Sequence, residues 1–178
     1  MDVIDIYDAD RVPTGRVTDR PDSLLQGEYR LVIHICIFNS RGELLIQKRR
    51  DNCHKWPGVW DMTVSGCAIC GEKGRDTAMR EAKEELSLDL DLSHSRPAFT
   101  ISFPGGFDEL FIVNMEVDLD KLILQDDEVT DVRWATEDEV MALIESGRFT
   151  PVLPDYIRTI FRIRETGDVF KPTAKSAK

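Results

Sequence analysis

Three glutamates stand close together in the stretch Arg80-Glu81-Ala82-Lys83-Glu84-Glu85-Leu86. At roughly 100° per residue of helix, Glu81, Glu84 and Glu85 fall within an arc of about 100°, so one helix face carries all three carboxylates. Ala78, Met79, Ala82 and Leu86 occupy the neighbouring arc and give the same helix an apolar stripe for docking on a sheet. Like charges at these spacings destabilise a helix by a few tenths of a kcal/mol per pair, and a solvated acidic face is the plainest use for them. A hard divalent cation reverses that repulsion, because magnesium and manganese prefer oxygen ligands. Arg80 can reach Glu84 at the i+4 position and fix one carboxylate by a charge-assisted hydrogen bond. Ahead of the helix, the segment from Gly66 to Gly71 is a glycine-bounded loop able to offer backbone carbonyls as further ligands.

The elements that must position these groups follow from pattern and punctuation. A short strand is expected over 3–7, closed by the turn Asp8-Ala9-Asp10. A long β-branched run over 29–38, the turn Asn39-Ser40-Arg41-Gly42 and a second strand over 43–48 predict a hairpin. Residues 51–60 contain Pro57 and Gly58 and read as a loop, and Met62-Thr63-Val64 as a short strand leading into Gly66. The glutamate helix is expected over 75–86, and further strands over 99–103, 109–117 and 129–134. Thr136-Glu137-Asp138-Glu139 fits a capping box for a second helix, and a third should run over 155–164, just after Pro154. Strands interspersed with a few helices predict an α+β, layered α/β domain with a mixed sheet flanked by helices.

With 178 residues, the chain suits one domain with a sizeable core. That domain is expected over 1–165, with an amino-terminal β-hairpin extension and a flexible tail over 166–178. The net charge of −10 argues against nucleic acid as a main partner, since phosphate neutralisation dominates such binding. It leaves a small anionic substrate open, because local bases can still receive phosphate. No apolar run approaches the roughly 20 residues that span a bilayer, and the acidic start Met1-Asp2-Val3 lacks signal-peptide order. A cytoplasmic protein without a membrane partner is expected. Of the four cysteines, Cys67 and Cys70 have the spacing of half a zinc site, but no second close pair completes it. Reduced, mostly buried thiols are the expectation.

The glutamate segment resembles the Nudix box: Gly, five residues, Glu, seven residues, Arg-Glu, a small or aliphatic residue, any residue, Glu-Glu, any residue, Gly, aliphatic. Gly66, Glu72, Arg80, Glu81, Ala82, Glu84, Glu85 and Leu88 stand where that pattern asks. Ser87 replaces the second glycine, where the chain leaves the helix, at about 1 kcal/mol if the backbone turns left-handed there. The resemblance implies a Nudix fold and Mg2+ or Mn2+ held by Glu81, Glu84 and Glu85 with a backbone carbonyl at Gly66. It also implies that Arg80 orients the cluster and that metal-activated water attacks a small-molecule diphosphate. Glu72 is a weaker ligand candidate or a loop residue, and Glu128 is the candidate general base from a later loop.

Trp56-Pro57-Gly58-Val59-Trp60 is similar to a segment of isopentenyl-diphosphate isomerases and their hydrolase-like relatives. That likeness implies that Lys48, Arg49 and Arg50 face substrate phosphates, and Arg30 joins them from the first long strand. The tryptophans could line a pocket or simply pack. His34 shares a strand face with Arg30 and reads as a core residue. An isomerase would need a cysteine where Ser65 stands and histidines where Cys67 and Arg30 stand, and arginine cannot bind metal. The intact glutamate box favours hydrolysis, with the isomerase and a non-catalytic ligand-binding module as alternatives. The amino-terminal hairpin could supply a homodimer contact.

Overall fold

A computed structural model describes residues 3–20 and 23–167 of the chain. β1 (Ile4–Tyr7) and β2 (Pro13–Thr18) form a separate antiparallel pair. The main sheet holds β3 (Arg30–Phe38), β4 (Leu44–Arg49), β5 (Trp60–Asp61), β6 (Val64–Cys67), β7 (Phe99–Phe103), β8 (Gly106–Asn114) and β9 (Val129–Ala135). α1 (Gly74–Leu86), α2 (Glu137–Glu145) and α3 (Pro154–Thr166) complete the fold. β3 and β8 run parallel while the other pairings of this sheet are antiparallel, so the sheet is mixed as expected.

Alternation along β3 divides the core into two layers. Ile33, Ile35 and Ile37 pack with Val64, Phe111 and the α1 stripe of Ala78, Ala82 and Leu86. Cys36 and Phe38 face the other way, onto Leu44, Ile46 and residues of α2 and α3 such as Val140, Ile157 and Phe161. Helices cover both faces, which is why the strand reads as a nearly continuous apolar run. Arg30, Val32 and His34 continue the second face past the end of that layer, where a cleft replaces the packed core.

The hairpin expected between the two long strands is only half formed. Its turn is present, with Gly42 at φ 81° and Asn39 N donating to Glu43 O at 3.1 Å. The strands, however, meet in register only at Phe38 and Leu44. A strand has two edges, and those of β3 are taken by β6 over 32–35 and by β8 over 30–38. β4 likewise pairs with β9 over 44–49 and with β5 at Gln47 and Lys48.

Other differences are local. The strand expected at 62–64 divides into β5 and β6, and buried Thr63 between them donates to Leu45 O and accepts from Ile37 N. β8 begins three residues before the expected strand and ends at Asn114. β2, to which the sequence reading gave no bounds, follows a turn in which Asp8 Oδ1 accepts from the amides of Asp10 and Val12. The capping box of α2 forms as expected, with Thr136 N donating to Glu139 Oε2 at 2.8 Å and Glu139 N to Thr136 Oγ1 at 3.3 Å. α3 starts on Pro154 at its first turn. The tail expected from residue 166 lies, beyond Gly167, outside the described residues.

α1 ends as the sequence anticipates. Ser87 adopts φ 54°, ψ 29°, and the amides of Ser87 and Leu88 donate back to Lys83 O and Ala82 O. This left-handed close is the geometry that a glycine would adopt without strain. Ser87→Gly is expected to gain about 1 kcal/mol and raise the melting midpoint by about 2–4 °C. A thermal melt that is unchanged or lower contradicts the strain argument.

Candidate active site

The carboxylates on α1 meet three different environments. Glu81 lies against Gly66 of β6 so closely that a Cβ on that glycine would stand 2.1 Å from Glu81 Oε1. Gly66 is therefore a space requirement of the glutamate. Glu85, one turn on, is 2% exposed and accepts from Gln47 Nε2 of β4 at 2.9 Å. Glu84 remains half exposed and accepts from Arg80 Nη1 at 2.9 Å. The same Nη1 pairs with Glu81 Oε1 at 2.9 Å.

Arg80 is held from behind by Glu72. Its Nε donates to Glu72 Oε1 at 2.8 Å and its Nη2 to Glu72 Oε2 at 3.1 Å and Cys67 O at 3.2 Å. Glu72 also accepts from Thr77 Oγ1 and Ile69 N. Glu72 thus sits just ahead of α1 and anchors the arginine.

Negative charge accumulates at this corner. Burial raises the Glu81 carboxyl to about 7; Arg80 pulls it down, while the charges of Glu84 and Glu128 push it further up. Glu85 stands well above the ordinary carboxylate range, chiefly through burial and then through Glu81 and Glu128. Glu128 is raised by burial of its carboxyl and by Asp127, against the pull of Arg49. The four acids thus sense one another. Among the described residues, no three acidic, histidine or cysteine side chains stand close enough as placed to share one ion, because Arg80 and Gln47 hold the oxygens.

A cleft of about 1070 Å3 opens beside them, lined at one end by Gly66, Glu85, Glu128, Arg49 and Arg30. Arg49 pairs with Asp61 Oδ2 at 3.3 Å and donates to Lys55 O. Lys48 and Arg50, expected beside it, do not line the cleft, and neither do Arg80, Glu81 and Glu84. Arg50 is instead tied through its backbone to the loop that carries Glu128, its N donating to Glu128 O at 2.8 Å. Trp56 lines the cleft and is half exposed, whereas Trp60 packs against the core with Arg133 over its ring.

The sequence reading missed a further polar group of the cleft. His34, read as a core residue, lines it, and its Nδ1 lies 2.9 Å from both carboxylate oxygens of Asp108. Tyr156, Thr150 and Asp61 stand nearby on other elements. The signal available was the face shared by Arg30 and His34; nothing in spacing linked them to β8 or α3. Cys67 Sγ contacts Leu31 O and Cys70 Sγ contacts Asp5 Oδ1. Only Cys36 is buried, so the expectation of mostly buried thiols is corrected. Among the described residues, no helix is long and apolar enough to cross a membrane.

Comparison with known proteins agrees with this geometry. Residues 28–156 match the family model of the NUDIX domain. An uncharacterised Nudix hydrolase of Listeria innocua is 40% identical over 164 residues, covering 92% of this chain and 96% of that protein. An isopentenyl-diphosphate Delta-isomerase of Escherichia coli is 28% identical over 146 residues, covering 79% of this chain and 80% of its own. A crystal structure from Deinococcus radiodurans matches with a TM-score of 0.74 at 22% identity, covering 90% of this chain and 99% of that one. With the glutamate helix, its glycine cradle and the mixed sheet between helices all in place, the chain belongs to the Nudix family and is a Nudix-type pyrophosphohydrolase.

Proposed function

We propose that the chain is a divalent-metal-dependent hydrolase of a diphosphate linkage in a nucleoside diphosphate derivative or other small phosphorylated metabolite. The observation that carries this reading is the mutual influence of Glu81, Glu85 and Glu128, the last two lining a cleft that also holds Arg30 and Arg49. An oxygen-only donor set with unmet negative charge suits a hard cation, and so Mg2+ or Mn2+ fits these residues. Glu81, Glu84 and Glu85 would hold it, with the Gly66 carbonyl. Once bound, the ion supplies activation of water and neutralisation of charge on the leaving phosphate.

The remaining work falls to the chain itself. Arg80, clamped by Glu72, sets the directions of Glu81 and Glu84. Glu128 faces the cleft on a loop fastened by Arg50 N, with a carboxyl whose raised proton affinity suits a general base. Arg49 and Arg30 meet the phosphates, while Lys48 and Arg50 flank that contact and add to the positive potential. The cleft shelters the reacting linkage from bulk water.

Turnover of a diphosphate panel should require Mg2+ or Mn2+ and stop in chelator. Glu85→Gln, close in shape, should lower turnover more than about 100-fold, beyond what loss of an outer hydrogen-bond partner gives. Glu128→Gln should lower kcat by about 10²–10⁴-fold if Glu128 is the base. Metal-independent release, or interconversion of isopentenyl diphosphate isomers in place of release, would refute the hydrolytic reading.

Stability gives a second test. Glu81 titrates at about 7 in the fold against 4.5 ordinarily, so across that window the folded chain keeps a proton that the unfolded chain has lost. Stability of the metal-free protein should therefore fall as pH rises from about 4.5 to 7. Added Mg2+ should raise the melting midpoint more at about pH 7.5 than at about pH 5, and Glu81→Gln should flatten both trends. Equal metal effects at the two pH values would count against the carboxylates as ligands.

A further inference from the structure

The cleft is far larger than a diphosphate needs, and its volume of about 1070 Å3 is that of a site for a substantial organic ligand. Its walls away from the glutamates are apolar, formed by Phe99, Ile101 and Phe103 of β7 and by Val152 and Ile163 at and before α3. By the reading proposed above, the phosphates lie at the acidic end. The non-phosphate half of the substrate then lies against these walls.

Among the polar groups that line the cleft, Tyr156 and His34 stand out. Tyr156 Oη is buried and has no hydrogen-bond partner. Burial, with Asp108, Cys36 and Asp61 adding to it, raises the phenol pKa, so the hydroxyl stays protonated. His34 is held through Nδ1 by both oxygens of Asp108, and its Nε2 makes no hydrogen bond among the described residues. Burial opposes charge on this ring, but the hydrogen bond and charge of Asp108, helped by Asp61, outweigh it and raise its pKa. The pocket therefore presents two polar atoms without a partner among the described residues, Tyr156 Oη from α3 and His34 Nε2 from β3. Buried donors without acceptors cost free energy, and a hydrocarbon occupant would leave that cost in place. A site built to hydrogen-bond its ligand discriminates strongly against an analogue that lacks the matching group. Aromatic side chains are gathered here, with Phe99 edge-on to Tyr156 at 5.9 Å between centroids and Arg30 over the Phe103 ring, and such a lining suits a flat guest.

We infer that Tyr156 and His34, the latter held by Asp108, recognise a hydrogen-bond acceptor on the organic half of the substrate. The group seated there is a planar ring carrying a carbonyl oxygen or ring nitrogen, and not a hydrocarbon chain. These residues act in specificity, outside the cluster assigned to bond cleavage, although the inference rests on that cluster marking the phosphate end.

Calorimetric binding with Mg2+ present tests this without turnover. The probes are the α,β-methylene analogues of adenosine, guanosine, uridine and cytidine diphosphates and of geranyl diphosphate, in which a P–C–P bridge resists hydrolysis. At least one ring-bearing probe should bind more tightly than the geranyl probe. Tyr156→Phe removes only the unpartnered hydroxyl, so it should melt no lower than the parent yet bind that probe about tenfold more weakly. Its affinity for the geranyl probe should stay the same or improve. His34→Gln, which keeps an amide to pair with Asp108, should show the same selectivity loss. Tighter binding of the geranyl probe, no binding of any ring-bearing probe, or an unchanged Tyr156→Phe would overturn the inference. Should the binding pattern hold while no diphosphate is hydrolysed, the hydrolytic reading alone fails.

Discussion

The site depends on an electrostatic tension that the fold does not relieve by itself. Four acids are brought within reach of one another, three from a single helix and one from the loop before β9, and two of them are deeply placed. Arg80 answers part of this charge, but it is shared among Glu72, Glu81 and Glu84, and Glu85 receives only a neutral amide from Gln47. Burying a carboxylate without a matched cation is costly, and folding tolerates it here because the surrounding layer of aliphatic packing is extensive. Under the proposed function, a bound cation would offset that cost.

That tension can be maintained only because the backbone leaves no slack. Gly66 has no side chain where the Glu81 carboxylate sits, and the α1 stripe of Ala78 and Ala82 lets the helix lie low on the sheet. Small residues on one arc and acids on the next serve the same end: close approach of the helix to β6. The edges of β3 are committed to β6 and β8, which fixes the height at which that strand passes beneath the helix. On the opposite face the same strand carries Arg30, Val32 and His34 into the cleft, so one strand registers both halves of the site.

Local chemistry was legible in the sequence because it is periodic or punctuated. The arc of Glu81, Glu84 and Glu85, the capping box at Thr136 and Pro154 at the start of α3 follow from neighbours a few residues apart, while the left-handed Ser87 followed from the glycine position of the Nudix box. What failed was long-range. The strands flanking Asn39–Gly42 looked like partners because they are adjacent in the chain, yet each found better edges elsewhere. Lys48, Arg49 and Arg50 looked equivalent, but a register shift between Lys48 and Arg49 sends only Arg49 toward the cleft. His34 looked like a core residue because its partner, Asp108, lies 74 positions away on a strand whose start was misplaced.

The parallel match of β3 with β8 has a consequence for the order in which the molecule is built. Arg30 through Phe38 must wait for Gly106 through Asn114 before their shared edge closes, and no short connection can bring the two together early. During synthesis the glutamate helix leaves the ribosome well before β8, β9 and α3 exist. A nascent chain would therefore carry the acidic motif without a cleft beside it, and the cavity walls are complete only once α3 has docked.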